Sequence, residues 1–129
     1  MEKSRSSSEI RFPRAHQFDN PTRVMKFDNA SVVAKANIYF EGKVVSHTVV
    51  TNEGEHKTLG LIYPGSYHFG TEAPELMEII SGNCQVVIDG KEDTLSISAG
   101  SSFEVAGKCG FTITVEDCIC EYVCSFLTN

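Results

Sequence analysis

Beyond residue 36 the sequence contains no arginine, and its lysines there are only Lys43, Lys57, Lys91 and Lys108. Against them stand thirteen Asp and Glu, so residues 37–129 carry a formal charge of −9. Residues 1–36, with seven Lys/Arg and four Asp/Glu, carry +3. So acidic a body argues against nucleic acid or an anionic membrane as its partner, because backbone phosphates are neutralised by Lys and Arg. It also leaves any phosphate-like ligand to backbone N–H groups, hydroxyls or a histidine. No run approaches the roughly 18 apolar residues that a membrane span requires. The N-terminus has no apolar signal-peptide core, and Glu2, Glu9, Asp19 and Asp28 argue against a transit peptide. The cysteines number five, an odd count. Without a signal peptide this predicts a reducing, cytoplasmic setting. Also missing are a C-x-x-C pair, a Gly-rich phosphate loop and any helix-period segment long enough to matter.

What remains is a β-protein. At 129 residues there is room for one domain with a core. Residues 1–35 read as an irregular extension. A serine-rich stretch (Ser4 to Ser8), Pro13 and the Asn20-Pro21 pair discourage regular structure, and Phe12, Phe18, Val24, Met25 and Phe27 are scattered apolar anchors. From residue 36 the texture changes to short β-prone runs cut by Gly and Pro. The spacing predicts strands over 38–40, 43–50, 58–62, 66–69, 75–81, 84–88, 94–98, 102–105, 111–115 and 118–127. The 43–50 and 58–62 strands form a hairpin around Gly54, and Asp89-Gly90 is the hairpin turn between 84–88 and 94–98. Short strands and Gly-rich turns predict an all-β fold, a jelly roll or small barrel over 36–129. Such a shell either fills with side chains or keeps a mouth for a small molecule.

The central stretch, residues 60–82, carries the candidate chemistry. His68 and Glu75, followed by Gly82, have the spacing of a cupin metal motif, but Gly70 stands where that motif has its second histidine. In the second motif, which begins at Gly100, Ala106 and Phe111 stand where a proline and a histidine are expected. Two of four ligands hold a divalent ion too weakly, so no metal site is expected. Cupin metal logic points His68 inward, yet Tyr67, Phe69 and Thr71 share the opposite parity, and a regular strand presents only one set to the pocket. Cys118, Cys120 and Cys124 share a face if they lie on a single strand, and core packing is the expected role of that run.

Gly65, Tyr67, Phe69, Thr71, Glu75, Met77 and Gly82, at their spacing, resemble the signature of the small pyrimidine/purine nucleoside phosphorylases with a cupin fold. The likeness extends from the Tyr39-Phe40-x-Gly42-x-Val44 string through Phe103, Val105 and Phe111 to Tyr122 and Cys124, spanning residues 36–127. Some family members carry a proline where Ala106 stands and an arginine where Ser125 stands. The resemblance implies phosphorolysis of purine and pyrimidine nucleosides to free base and ribose 1-phosphate. It also implies a single cupin-like jelly-roll β-barrel over 36–129, broad base tolerance, phosphate as co-substrate with no other cofactor, no metal, and a homodimer. Glu75 is then the catalytic carboxylate. Thr71, His68 and the N–H groups around Gly70 are candidates for phosphate; Tyr67, Phe69, Met77 and Phe103 wall the base, and Tyr122 supplies a hydroxyl. Two other classes compete: a non-enzymatic ligand-binding or structural jelly roll, and a residual metal cupin such as a dioxygenase or sugar isomerase.

Overall fold

The computed structural model describes residues 25–127. The serine-rich stretch, Phe12, Phe18 and Val24 of the N-terminal extension lie outside the described residues. The chain runs through β1 (Ser31–Val32), β2 (Asn37–Tyr39), one 3-10 turn (Phe40–Gly42), β3 (Val44–Val50), β4 (His56–Ile62), β5 (Gly65–Gly70) and β6 (Glu75–Ser81). It continues through β7 (Asn83–Ile88), β8 (Thr94–Ser98), β9 (Ser102–Val105), β10 (Gly110–Val115) and β11 (Cys120–Phe126). The strands expected from 38 onward are all present, with ends displaced by one or two residues. The short β1 is additional: it pairs antiparallel with Val49 and Val50 of β3.

Seven strands form one sheet in the order β1-β3-β4-β11-β6-β9, with β2 also on β3, and four form a second in the order β5-β10-β7-β8. Every described pairing is antiparallel, and the expected β3–β4 and β7–β8 hairpins are both formed. No ladder joins the two sheets among the described residues. They face each other across an apolar core, where Phe103 of β9 meets Phe111 of β10 at 5.5 Å and Tyr39 of β2 meets Phe69 of β5 at 5.7 Å between ring centroids. Period-two alternation builds that core: Phe111, Ile113 and Val115 are buried on β10 while Thr112 and Thr114 face outward.

Two local features position the interior. The turn after β2 is left-handed over consecutive residues, with φ of 53° at Phe40, 58° at Glu41 and 96° at Gly42. Only glycine adopts such angles without steric cost. The turn swings the Phe40 ring onto Tyr67 at 5.0 Å and Phe69 at 5.5 Å. At the other end of the chain, β11 begins at Cys120 rather than residue 118, which leaves Cys118 in the preceding bend. Cys120 and Cys124 are fully buried, as core packing requires.

Candidate active site

The site grows from the inner face of the seven-stranded sheet, where strand register sets side chains in rows. Cys124 of β11 lies between Thr58 of β4 and Met77 of β6, and Met77 in turn pairs with Phe103 of β9. In the next row, Tyr122 lies between Gly60 and Ile79, and Gly60 pairs with Ser46 of β3. Glu75 opens β6 one position further along the same face, paired with Val105. Four of the residues expected from the sequence, Glu75, Met77, Phe103 and Tyr122, therefore converge. Tyr67 and Phe69 face them from the four-stranded sheet as part of the same buried cluster.

Glu75 is completely buried and is the only carboxylate among the buried polar side chains of the described residues. The Cys124 thiol donates to its Oε1 at 3.3 Å, while its Oε2 has no hydrogen-bond partner. The Tyr122 hydroxyl and the Thr58 hydroxyl are likewise buried without a partner. Unpaired buried polar atoms of this kind are costly, each by about 1–3 kcal/mol. Burial, reinforced by the nearby Cys124 and opposed by the Ser46 and Thr58 hydroxyls, holds the Tyr122 phenol well above its ordinary pKa. Ser46 and Thr58 lie within electrostatic reach of that hydroxyl without forming a regular hydrogen bond. Three such atoms, Glu75 Oε2, Thr58 Oγ1 and Tyr122 Oη, thus lie on adjoining rows of one sheet face.

The remaining candidates separate from this cluster. The Thr71 hydroxyl is committed on both sides: it donates to the Ala106 carbonyl at 2.7 Å and accepts from the Cys109 N–H at 3.0 Å. It therefore ties the loop before β6 to the loop before β10. The Tyr67 hydroxyl donates to the Tyr63 and Pro64 carbonyls at 2.8 and 2.9 Å, closing the turn into β5. His68 does not point inward as cupin metal logic expects. It faces solvent from the outer side of the four-stranded sheet, where its Nε2 lies 2.9 Å from Asp89 Oδ2. Alternation allows either set of β5 residues to be buried, and burying the Tyr67 and Phe69 rings is worth several kcal/mol more than burying one imidazole. His68 and Glu75, the two surviving positions of the metal motif, thus lie on opposite sides of the shell. Among the described residues no three His, Cys, Asp or Glu side chains come together in a way that could hold a metal ion.

Several site features were not foreseen from the sequence. Asn37 Nδ2 donates to Ser46 Oγ and Thr48 Oγ1, both at 3.2 Å, so β2 and β3 add amide and hydroxyl groups beside Tyr122. Single Ser, Thr and Asn residues are too common for sequence to mark them; only the sheet register brings them together. The Phe40 ring, 45 % exposed against Tyr67 and Phe69, is another, and its only sequence signal was the Tyr-Phe-x-Gly string. A separate cavity of about 470 Å³ lies on the outer face of the same sheet, lined mainly by apolar residues such as Met25, Phe27, Val45, Leu59 and Leu61. Gly60 and Tyr122 border it as well, whereas Glu75, Met77 and Phe103 do not line it.

Two antiparallel sheets facing each other over an apolar core make an all-β, cupin-type fold. Two structures of oxalate decarboxylase, one of them from Bacillus subtilis, share it at TM-scores of 0.55 and 0.62, with 17 % and 14 % identity, covering 67 % and 82 % of this chain and 26 % and 31 % of those chains. Residues 34–126 match the pyrimidine/purine nucleoside phosphorylase family, and the chain belongs to that family. Relatives bearing that name include one from Burkholderia ambifaria, 52 % identical over 106 residues, and one from Paraburkholderia xenovorans, 48 % identical over 106 residues. Each alignment covers 82 % of this chain and 99 % of the relative. A crystal structure of a protein of unknown function from Acinetobacter sp. ADP1 superposes with a TM-score of 0.76 at 41 % identity, covering 79 % of this chain and 98 % of that one.

Proposed function

We propose that the chain cleaves purine and pyrimidine nucleosides by phosphorolysis, releasing free base and ribose 1-phosphate. The bond from C1′ to the base nitrogen breaks, a C1′–oxygen bond to phosphate forms, and the base leaves with the bonding pair and takes up a proton. Such a step passes through an oxocarbenium-like sugar, as glycoside hydrolysis does. The observation that carries the reading is the buried Glu75 carboxylate, with one oxygen unpaired, on the same inner sheet face as the unpaired Tyr122 hydroxyl in a chain of this family. A fixed carboxylate stabilises developing positive charge on the sugar and is worth most where water is excluded. Met77, Phe103, Tyr67 and Phe69 give the interior apolar walls, which discriminate weakly between bases and fit broad base tolerance. No step in this scheme calls on a metal. A homodimer and a reducing, cytoplasmic setting belong to the same reading, the latter supported by five cysteines of which none is in a disulfide.

The test is incubation with uridine and with inosine, with and without phosphate and with and without chelator. Phosphate-dependent, chelator-insensitive base release is the expected outcome, and Glu75→Gln lowers kcat by about a hundredfold, the size of one preorganised electrostatic contact. Absence of release from every nucleoside tried, or full activity in Glu75→Gln, overturns the reading. Light scattering at micromolar concentration tests the dimer.

A further inference from the structure

We infer that the row formed by Asn37, Ser46, Thr48, Thr58 and Tyr122 receives the ribosyl group of the substrate, and that phosphate binds elsewhere. The inference rests on the phosphorolysis reading and says which part of the substrate this surface takes.

Three observations carry it. First, the row is a built polar surface inside an apolar shell. Asn37 joins Ser46 and Thr48 at 3.2 Å each, and strand register runs in two adjoining lines, from Thr48 to Thr58 and Cys124 and from Ser46 to Gly60 and Tyr122. Second, two of its members are unpartnered although deeply buried: the Thr58 hydroxyl, in a side chain 7 % exposed, and the Tyr122 hydroxyl, in one 2 % exposed. Neither makes a regular hydrogen bond, although Ser46 and Thr58 lie within electrostatic reach of the Tyr122 hydroxyl. Third, the chemistry of the row is that of a sugar site. Hydroxyls both donate and accept and so match other hydroxyls, whereas a carboxylate only accepts. The unpaired Oε2 of Glu75 can accept a hydrogen bond from a ribose hydroxyl. No lysine supports an anion here. Lys57, on the same strand as Thr58, has the opposite parity, and its Nζ donates to Ser125 on the outer face at 2.7 Å. Asn37 and Thr48 are half-exposed, which leaves the row open to solvent at that end.

Placing the sugar on this row also suits the reaction. In glycoside hydrolysis, hydrogen bonds to the sugar 2-hydroxyl strengthen as the oxocarbenium ion forms. A donor or acceptor lost from the row is therefore felt by ribonucleosides and much less by their 2′-deoxy counterparts.

The experiment uses Thr58→Val and Ser46→Ala in the full chain. Valine is nearly isosteric with threonine and suits a strand, so Thr58→Val removes an orphaned hydroxyl without opening a cavity. The expected result is a nucleoside KM raised about five- to tenfold, the size of one neutral hydrogen bond, with the phosphate KM unchanged within twofold and the ribo-over-deoxy preference reduced. A raised phosphate KM with an unchanged nucleoside KM makes the row the anion site and overturns the inference. Unchanged values for both overturn it equally. Calorimetric binding of inosine without phosphate separates this inference from the reading beneath it. Binding that weakens in Thr58→Val, in a protein with no turnover, sinks phosphorolysis and keeps the sugar site. Turnover with unaltered inosine binding in both variants sinks the sugar site alone.

Discussion

The Tyr122 ring lies directly over Gly60. A Cβ built on Gly60 falls 2.5 Å from Tyr122 Cζ and 2.6 Å from its Cε2 and hydroxyl oxygen. Glycine at the centre of β4 ordinarily weakens a strand. Here it makes the space in which a large side chain from the neighbouring strand lies across toward Ser46.

Gly60→Ala is accordingly expected to destabilise the fold although alanine suits a strand better. The added methyl group has to displace the Tyr122 ring from a packed interior, and overpacking of that kind costs about 1–3 kcal/mol. Urea unfolding with an unchanged m-value and a lower midpoint is the expected measurement. Because the displaced group is the Tyr122 hydroxyl, nucleoside affinity falls together with stability.

Tyr122→Phe separates those two effects. Its hydroxyl has no partner in the folded chain, so deleting it leaves stability at neutral pH within about 1 kcal/mol of the parent, or raises it. Activity falls because the site loses a polar contact to substrate. The alkaline limb carries a second signature. Burial raises the phenol's pKa in the folded state, with Cys124 adding to the effect. The folded and unfolded states bind the same proton below the ordinary tyrosine range, and there the group contributes nothing to the slope. Above about pH 10 the unfolded chain releases that proton while the folded chain keeps it, so stability falls by about 1.4 kcal/mol per pH unit from this group. Denaturation midpoints measured from pH 8 to 11 therefore decline less steeply in Tyr122→Phe. Parallel declines in the two proteins would contradict the buried, neutral phenol.

Much of this arrangement was legible in the sequence, for identifiable reasons. Gly and Pro at 54, 64, 65, 70, 82, 90 and 100 mark where strands must stop, so the succession of strands along the chain and both hairpins followed from punctuation. The convergence of Glu75, Met77, Phe103 and Tyr122 was carried by the family string. Parity on β5 was not legible, because Ser66-Tyr67-His68-Phe69 alternates perfectly well with either set inward; the partner sheet decides. Commitments of single hydroxyls were not legible either. Nothing near Thr71 in sequence says that its hydroxyl bridges Ala106 and Cys109, more than thirty residues away. The Asn37–Ser46–Thr48–Thr58 row exists only once β2, β3 and β4 lie side by side.

The left-handed turn was also invisible, since neither Phe40 nor Glu41 is a residue that favours positive φ. Its cost predicts a stabilising substitution. Glu41, at φ 58° and ψ 33°, has a steric penalty of roughly 1–2 kcal/mol as an L-residue. Glycine lacks that penalty but loses about 0.5–1 kcal/mol more chain entropy on folding. Glu41→Gly is thus expected to gain about 0.5–1 kcal/mol, read as a higher Tm. Phe40→Gly relieves a similar angle yet forfeits the ring contacts with Tyr67 and Phe69, so it is expected to destabilise. Equal effects of the two changes would mean that the Phe40 ring contributes nothing to the packing at this edge.

The last prediction concerns His68, a position of the cupin metal motif, and its partner Asp89. Their side chains are 56 % and 45 % exposed, and the 2.9 Å contact between them lies on the outer face of the four-stranded sheet. An exposed pair of this kind contributes at most about 1 kcal/mol. His68→Ala is expected to leave stability within that margin and to leave the KM values for nucleoside and phosphate unchanged. Glu75→Gln, seven positions later but inside the shell, is expected to remove most of kcat. The contrast is decisive because both residues belong to one motif by spacing and differ only in the face they occupy. If His68→Ala instead raised the phosphate KM severalfold, the anion would bind on the outer face of β5, and the inner row could no longer be read as part of one continuous substrate site.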